Sequence, residues 1–74
     1  MHNNNGLWNE IKGNWKQFTG SVQERWGELT GDEIDQIKGE RKQLVGKIQE
    51  RYGIAQQEAE REVDEWADTA LSRF

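Results

Sequence analysis

The sequence has no cysteine, so neither a disulfide nor a thiolate metal site can stabilise the fold. It also has no proline, which leaves helices without their strongest breaker. No stretch approaches the roughly 18 apolar residues of a membrane span. The N-terminal run MHNNNGLW lacks the basic region and the apolar region of a secretory signal. These absences predict a cytoplasmic, non-membrane chain whose single domain depends on hydrophobic packing.

Groups that could perform catalysis are scarce. His2 is the only histidine and lies in an asparagine-rich tail, so neither Ser21 nor Ser72 has a structured histidine to activate it. Neither GxGxxG nor GxxxxGK[ST] occurs. Three acidic residues share one helical face without a calcium-binding loop, which indicates a solvated surface: Glu58, Glu62 and Glu65. The sequence therefore predicts no catalytic, cofactor-binding or metal site, no small-molecule substrate, and a protein that is not an enzyme.

Four tryptophans stand out in a chain that is otherwise strongly hydrophilic. Charged residues make up 32% of the sequence and the mean hydropathy is −1.12, yet the indoles can hold together a core that has few members. The net charge of −4 lies entirely in residues 54–74, which carry six acidic and two basic side chains. This balance predicts a folded domain with an acidic C-terminal segment.

An internal repeat organises the chain. Residues 11–27 align without a gap with residues 37–53, and 10 of the 17 pairs are identical. The identical pairs are Ile11/Ile37, Lys12/Lys38, Gly13/Gly39, Lys16/Lys42, Gln17/Gln43, Gly20/Gly46, Gln23/Gln49, Glu24/Glu50, Arg25/Arg51 and Gly27/Gly53. Two copies are too few for a solenoid, so the repeat predicts a pseudo-symmetric domain whose halves cover each other's apolar faces.

Apolar residues recur at helical spacing through both repeats and into a last helix. The pattern predicts an all-α bundle of four to five helices, with segments at about 7–12, 14–26, 31–38, 40–52 and 56–70. Residues 1–6 are predicted to form a flexible tail, and residues 7–72 a single domain with repeat units 7–30 and 31–56 and a capping helix at 56–72. Arg41 stands where the first repeat has Trp15, which predicts a place at the domain edge.

Helix boundaries can be read from local signals. Gly27 and Gly53 each follow an aromatic residue and are predicted to end helices in the left-handed conformation. Thr30 and Glu33 form a capping box that predicts a helix start near residue 31. The matched glycines Gly13 and Gly39 predict breaks or close backbone approaches; the alternative is three longer helices that tolerate internal glycines.

The same stripe predicts the core and its arrangement. The expected core residues are Trp15, Phe18, Val22, Trp26, Leu44, Ile48, Tyr52, Val63 and Trp66. The repeats are predicted to be related by an approximate two-fold axis, with 14–26 packed against 40–52 and the last helix capping both.

Nucleic-acid binding is the alternative function that the residues suggest. The candidate contacts are Lys16, Arg25, Lys42, Lys47 and Arg51. On a helix, however, the basic residues of 38–51 lie on both sides of the apolar stripe, and the sequence pI is about 4.9. Binding is therefore expected to be weak and independent of base sequence.

The repeated runs resemble the CsbD-like family of small bacterial stress proteins. The likeness covers Gly6 to Trp66, and its most specific parts are Trp-Lys-Gln at 15–17, Trp-Gly at 26–27 and LVGKIQERYG at 44–53. One departure is Gly31, where such proteins more often have aspartate after the threonine cap. The resemblance implies a cytoplasmic protein that accumulates under general stress, with a fold similar to the paired hairpins of SAM domains and no catalytic residues to carry over.

Together the residues and the resemblance predict a non-enzymatic stress-response protein that acts as an abundant, hydrophilic protective or interaction module. A monomer is expected, and a protein partner is left open.

Overall fold

The computed structural model describes residues 5–72 and forms a small all-α bundle of five helices. The helices are α1 (Asn5–Gly13), α2 (Trp15–Arg25), α3 (Gly31–Ile37), α4 (Arg41–Tyr52) and α5 (Gln56–Ser72). Within these residues no helix combines the length and apolar character required to cross a lipid bilayer. The predicted fold class is confirmed, although α1 begins at Asn5 and so includes Gly6, which was assigned to the tail.

The breaks at Gly13 and Gly39 are confirmed, and the three-helix alternative is wrong. The two breaks differ in geometry. Gly39 has a φ of +78°, and a Cβ added to it would lie 2.7 Å from Cα of Lys12 at the end of α1. Gly13 has open space around it. Only the break at Gly39 therefore requires glycine, because the backbone there is left-handed and lies against the backbone of α1.

Helix ends follow the local signals with one exception. The Thr30 hydroxyl accepts from the Glu33 amide, and the Glu33 carboxylate accepts from the Thr30 amide, which completes the capping box at α3. Gly53 ends α4 with a φ of 65°, as predicted. The prediction for Gly27 is wrong: it has no positive φ, since α2 ends one residue earlier at a C-cap, Trp26, with φ −126°.

The core is wholly apolar among the described residues and draws on all five helices and the α2–α3 loop. Eight of the nine predicted core residues are buried; Tyr52 is the error, with 39% of its surface exposed. Its hydroxyl accepts a hydrogen bond from the Glu28 amide at 3.0 Å. Tyr52 therefore fastens the α2–α3 loop from outside, where its polar end can be satisfied.

Trp66 of α5 lies at the centre of an aromatic cluster. Its ring centroid is 6.1 Å from that of Trp8, 6.5 Å from Trp15, 6.0 Å from Phe18 and 5.8 Å from Trp26. The tilted and edge-on arrangements are those that aromatic quadrupoles favour. One residue of the capping helix thus joins α1, α2 and the α2 C-cap.

The main helix contacts differ from those predicted. α4 packs chiefly against α5, and α2 chiefly against α3, so the predicted pairing of 14–26 with 40–52 is wrong as the principal contact. Arg41 shows why: at the position of Trp15 it donates two hydrogen bonds to the Asp64 carboxylate, at 3.0 and 3.1 Å, which ties α4 to α5. The two-fold relation between the repeats stays a prediction.

Candidate functional site

The five candidate nucleic-acid contacts are on two helices. Lys16 and Arg25 belong to α2, and Lys42, Lys47 and Arg51 belong to α4. α2 and α4 each pack chiefly against a different helix. The candidates are therefore divided between two helices that are not each other's principal neighbours.

Three of the five candidates bind carboxylates of the chain itself. Arg25 lies 3.9 Å from Glu62 of α5, and its guanidinium is 5.3 Å from the Trp26 ring centroid. Arg51 pairs with Glu33, whose carboxylate is also 3.8 Å from Lys47. These contacts give the three cations a structural role, because they link separate helices.

Glu33 is the electrostatic centre of this group. Its side chain is 14% exposed and accepts from Arg51 and from the Thr30 backbone at once. The Arg51 hydrogen bond, followed by the Thr30 backbone bond, lowers the pKa of Glu33 from 4.5 to about 2. The carboxylate is thus charged across the physiological range and fixes the start of α3 against α4.

Lys16 and Lys42 remain without an ion pair among residues 5–72, and both are exposed. Sequence reasoning could not separate them from the other three cations, because Arg25, Lys47 and Arg51 each bind a carboxylate that is distant in sequence. These two lysines occupy equivalent places in the repeats.

The acidic face of α5 is divided among structural contacts. Glu62 accepts from the Trp26 indole at 3.0 Å, and Glu58 lies 3.6 Å from Arg61. Within the described part of the chain no group of three potential ligands could hold a metal ion. Ser21 accepts from the Trp66 indole, and Ser72 donates to a backbone carbonyl, while His2 lies outside the described residues.

A shallow groove of about 690 Å³ runs along the outer face of α4. Its lining is part polar and part apolar and includes Lys42, Gln43, Gly46, Lys47, Gln49, Glu50 and Ile54. Sequence reasoning missed this surface as a candidate because it weighed the lysines only as charges. The signal was that Lys42, Gln43, Gly46, Gln49 and Glu50 are identical to the aligned residues of the first repeat.

The sequence profile described as CsbD-like matches residues 9–61. The chain belongs to the CsbD-like family. It is 63% identical over 80% of its length to a UPF0337 protein of Mesorhizobium japonicum, of which 88% is covered. It is 55% identical over 84% of its length to a UPF0337 protein of Rhodopseudomonas palustris, of which 94% is covered. It is 60% identical over 77% of its length to UPF0337 protein YjbJ of Escherichia coli O6:H1, of which 83% is covered.

Membership of the CsbD-like family supports the stress-related setting that the sequence resemblance implied. The names of these three relatives state no catalytic activity. In this CsbD-like chain, the candidate surface is the open groove along α4. Charged and hydrogen-bonding side chains make up much of its lining.

Proposed function

We propose that this CsbD-like chain is a non-enzymatic, cytoplasmic stress-response protein that acts as an abundant, hydrophilic protective module. The observation that carries the proposal is the complete separation of charge from the core: every buried side chain in the described region is apolar, and none is charged. A third of the sequence is charged, so this separation places a dense ionic layer on a small folded body.

The folded state keeps that layer hydrated and fixed in place. Ion pairs on the surface connect the helices, including Lys12 with Glu40 at 3.4 Å and Arg41 with Asp64 at 3.0 Å. Among the described residues, Tyr52 is the only large hydrophobic side chain that is exposed, so this part of the surface offers little that would adhere to partly unfolded proteins. It can therefore occupy space and retain water between labile proteins at high concentration without aggregating itself.

Protection of a labile enzyme during drying or heating tests the proposal. The expected result is more recovered activity with the chain than with an inert protein of equal mass. Equal recovery with both proteins would contradict the proposal. The Trp66→Ala variant is the matched control: it keeps the charge and loses the central core residue, so its protection should be weaker if the folded surface matters.

Weak association with nucleic acids is the alternative function, and the geometry favours it less. Arg25, Lys47 and Arg51 are engaged by carboxylates, which leaves Lys16 and Lys42 as the free cations among the five candidates. Two separated lysines on an acidic protein would release few counterions from a phosphate backbone.

A further inference from the structure

The two repeats agree more at their exposed positions than at their buried ones. Core positions have changed in the pairs Phe18/Leu44, Val22/Ile48 and Trp15/Arg41. Most of the identical pairs are exposed in both copies, among them Lys16/Lys42, Gln17/Gln43, Gly20/Gly46 and Glu24/Glu50. A duplicated unit that only has to fold is constrained in its core and free on its surface, because most surface substitutions alter stability little. Here the exposed pairs are the better retained, and Ile11/Ile37 is the one identical pair that is buried in both copies, so we infer that the retained surface serves a purpose other than folding.

Contacts within the fold account for only part of this identity. Arg25 and Arg51 form ion pairs, and Gln23 donates to the Leu29 carbonyl at 2.8 Å. Among residues 5–72, no ion pair or side-chain hydrogen bond involves Lys16, Lys42, Gln17, Gln43 or Glu24. A Cβ added at Gly20 or Gly46 would meet nothing within 4 Å. Each of these helical glycines costs stability relative to alanine, and no neighbour in the fold requires it.

The retained residues form one pattern, which we call the repeat face. On α2 it consists of Lys16, Gln17, Gly20, Gln23 and Glu24, and on α4 of Lys42, Gln43, Gly46, Gln49 and Glu50. The spacing is symmetric about the glycine: glutamines lie three residues before and after it, and lysine and glutamate lie four residues before and after it. Residues three and four apart share one side of a helix, so each repeat face is a single surface.

This symmetry makes the repeat face complementary to itself. When two such helices cross antiparallel at their glycines, the lysine of each lies opposite the glutamate of the other, and the glutamines lie opposite each other. The missing side chain at the crossing point lets the two backbones approach closely. We propose that the repeat faces of α2 and α4 are self-association surfaces, and that the partner of each is a repeat face on a second copy of this chain.

The size of the repeat face predicts weak association. One polar helix face is much smaller than the interfaces of stable dimers, and its ion pairs are exposed. Lys47, 3.7 Å from Glu50, and Leu29, bonded to Gln23, also compete for two members of the surface. Each molecule has two repeat faces, so contacts can extend from copy to copy as concentration rises. This departs from the monomer expected from the sequence and suits a protein that acts by abundance.

Charge reversal tests the proposal with variants that leave the core intact. Lys16→Glu with Lys42→Glu gives repeat faces that carry only acidic charges, and Glu24→Lys with Glu50→Lys gives faces that carry only basic charges. Sedimentation velocity at low ionic strength should show that the average mass of the parent rises with concentration. Each variant alone should stay monomeric, and an equimolar mixture of the two should associate again.

A matched control reverses charges away from the repeat face. Glu58→Lys with Glu65→Lys changes the net charge by the same amount as the basic variant and should associate like the parent. Circular dichroism establishes that each variant is folded before it is compared. The proposal is overturned if the parent stays monomeric at its highest soluble concentration, if either variant associates like the parent, or if the mixture of folded variants stays monomeric.

Discussion

Gly13 and Gly39 hold equivalent places in the repeats and have different surroundings. Gly39 is buried and left-handed, and its neighbour Lys38 is also left-handed, with a φ of 55°. Gly13 is exposed and ends a regular helix. A side chain is thus sterically excluded at residue 39, whereas residue 13 has room for one.

We expect Gly39→Ala to destabilise the fold and Gly13→Ala to leave it unchanged or slightly more stable. The added Cβ at residue 39 would lie 2.7 Å from Cα of Lys12, and alanine disfavours a φ of +78°. At residue 13 alanine gains roughly 0.5 to 1 kcal/mol of helix preference. Urea unfolding of the two variants measures the difference, and equal stabilities would show that the α1 contact is not tight.

Trp66→Ala should lower the free energy of unfolding by about 3 to 5 kcal/mol, as for other buried aromatic residues. The rings of Trp8, Trp15, Phe18 and Trp26 would lose their common neighbour. Tyr52→Phe is the comparison, because that side chain is exposed and loses only the hydrogen bond from Glu28. A thermal melt in which Trp66→Ala matched Tyr52→Phe would contradict the central role of Trp66.

At the scale of elements, α3 depends on one carboxylate. α3 has only seven residues, too few to be stable alone, and Glu33 both completes its capping box and binds Arg51 of α4. The helix and its attachment to α4 therefore depend on the same ionised group.

Acid should loosen α3 over a defined range. The folded pKa of Glu33, about 2, lies below its ordinary 4.5, so its contribution to stability is complete above pH 4.5 and is lost as the pH falls toward 2. Glu33→Gln should destabilise the chain at neutral pH, and its deficit relative to the parent should shrink over that range. Denaturant titrations at several pH values measure this; a deficit that is constant with pH would contradict it.

The sequence was a good guide to the helices and a poorer guide to how they pack. Glycine breaks, the Thr30 capping box and the apolar stripe are local signals, and each observed helix end lies within two residues of its prediction. The exchange of Trp15 for Arg41 was visible in the repeat, but its partner Asp64 lies 23 residues away, and helical spacing carries no information about that contact. Tyr52 was misassigned because spacing alone ignores its hydroxyl.

On the scale of the whole molecule, charge is distributed unevenly. α5 carries the excess acid, while Lys16 and Lys42, two of the lysines without an ion pair among residues 5–72, lie on α2 and α4. The repeat face could have been predicted from the sequence, because the symmetric spacing of its residues is visible in the two aligned repeats. Its accessibility was not, since only the packed bundle shows that most of these residues are exposed and that Lys16, Gln17, Glu24, Lys42 and Gln43 have no side-chain partner among residues 5–72.

This charge distribution predicts little affinity for nucleic acids. In an anisotropy titration with a labelled duplex, we expect at most weak binding at about 50 mM salt, where electrostatic affinity is greatest, and none at physiological salt. Binding that persisted at physiological salt and fell in the Lys16→Glu, Lys42→Glu variant would favour the alternative function. A control variant with the same net charge that keeps Lys16 and Lys42 shows whether any loss of binding comes from these two lysines or from the change in net charge.

The tryptophans clustered around Trp66 also give the chain an intrinsic fluorescence signal for the packing of α5. Rings that lie this close exchange excitation energy, so light absorbed by any of the four tryptophans is shared before it is emitted. The emission then reflects the cluster rather than one side chain. Because the cluster exists only when α5 covers α1 and α2, separation of the last helix should change the ultraviolet spectrum even where the other helices keep their backbone structure.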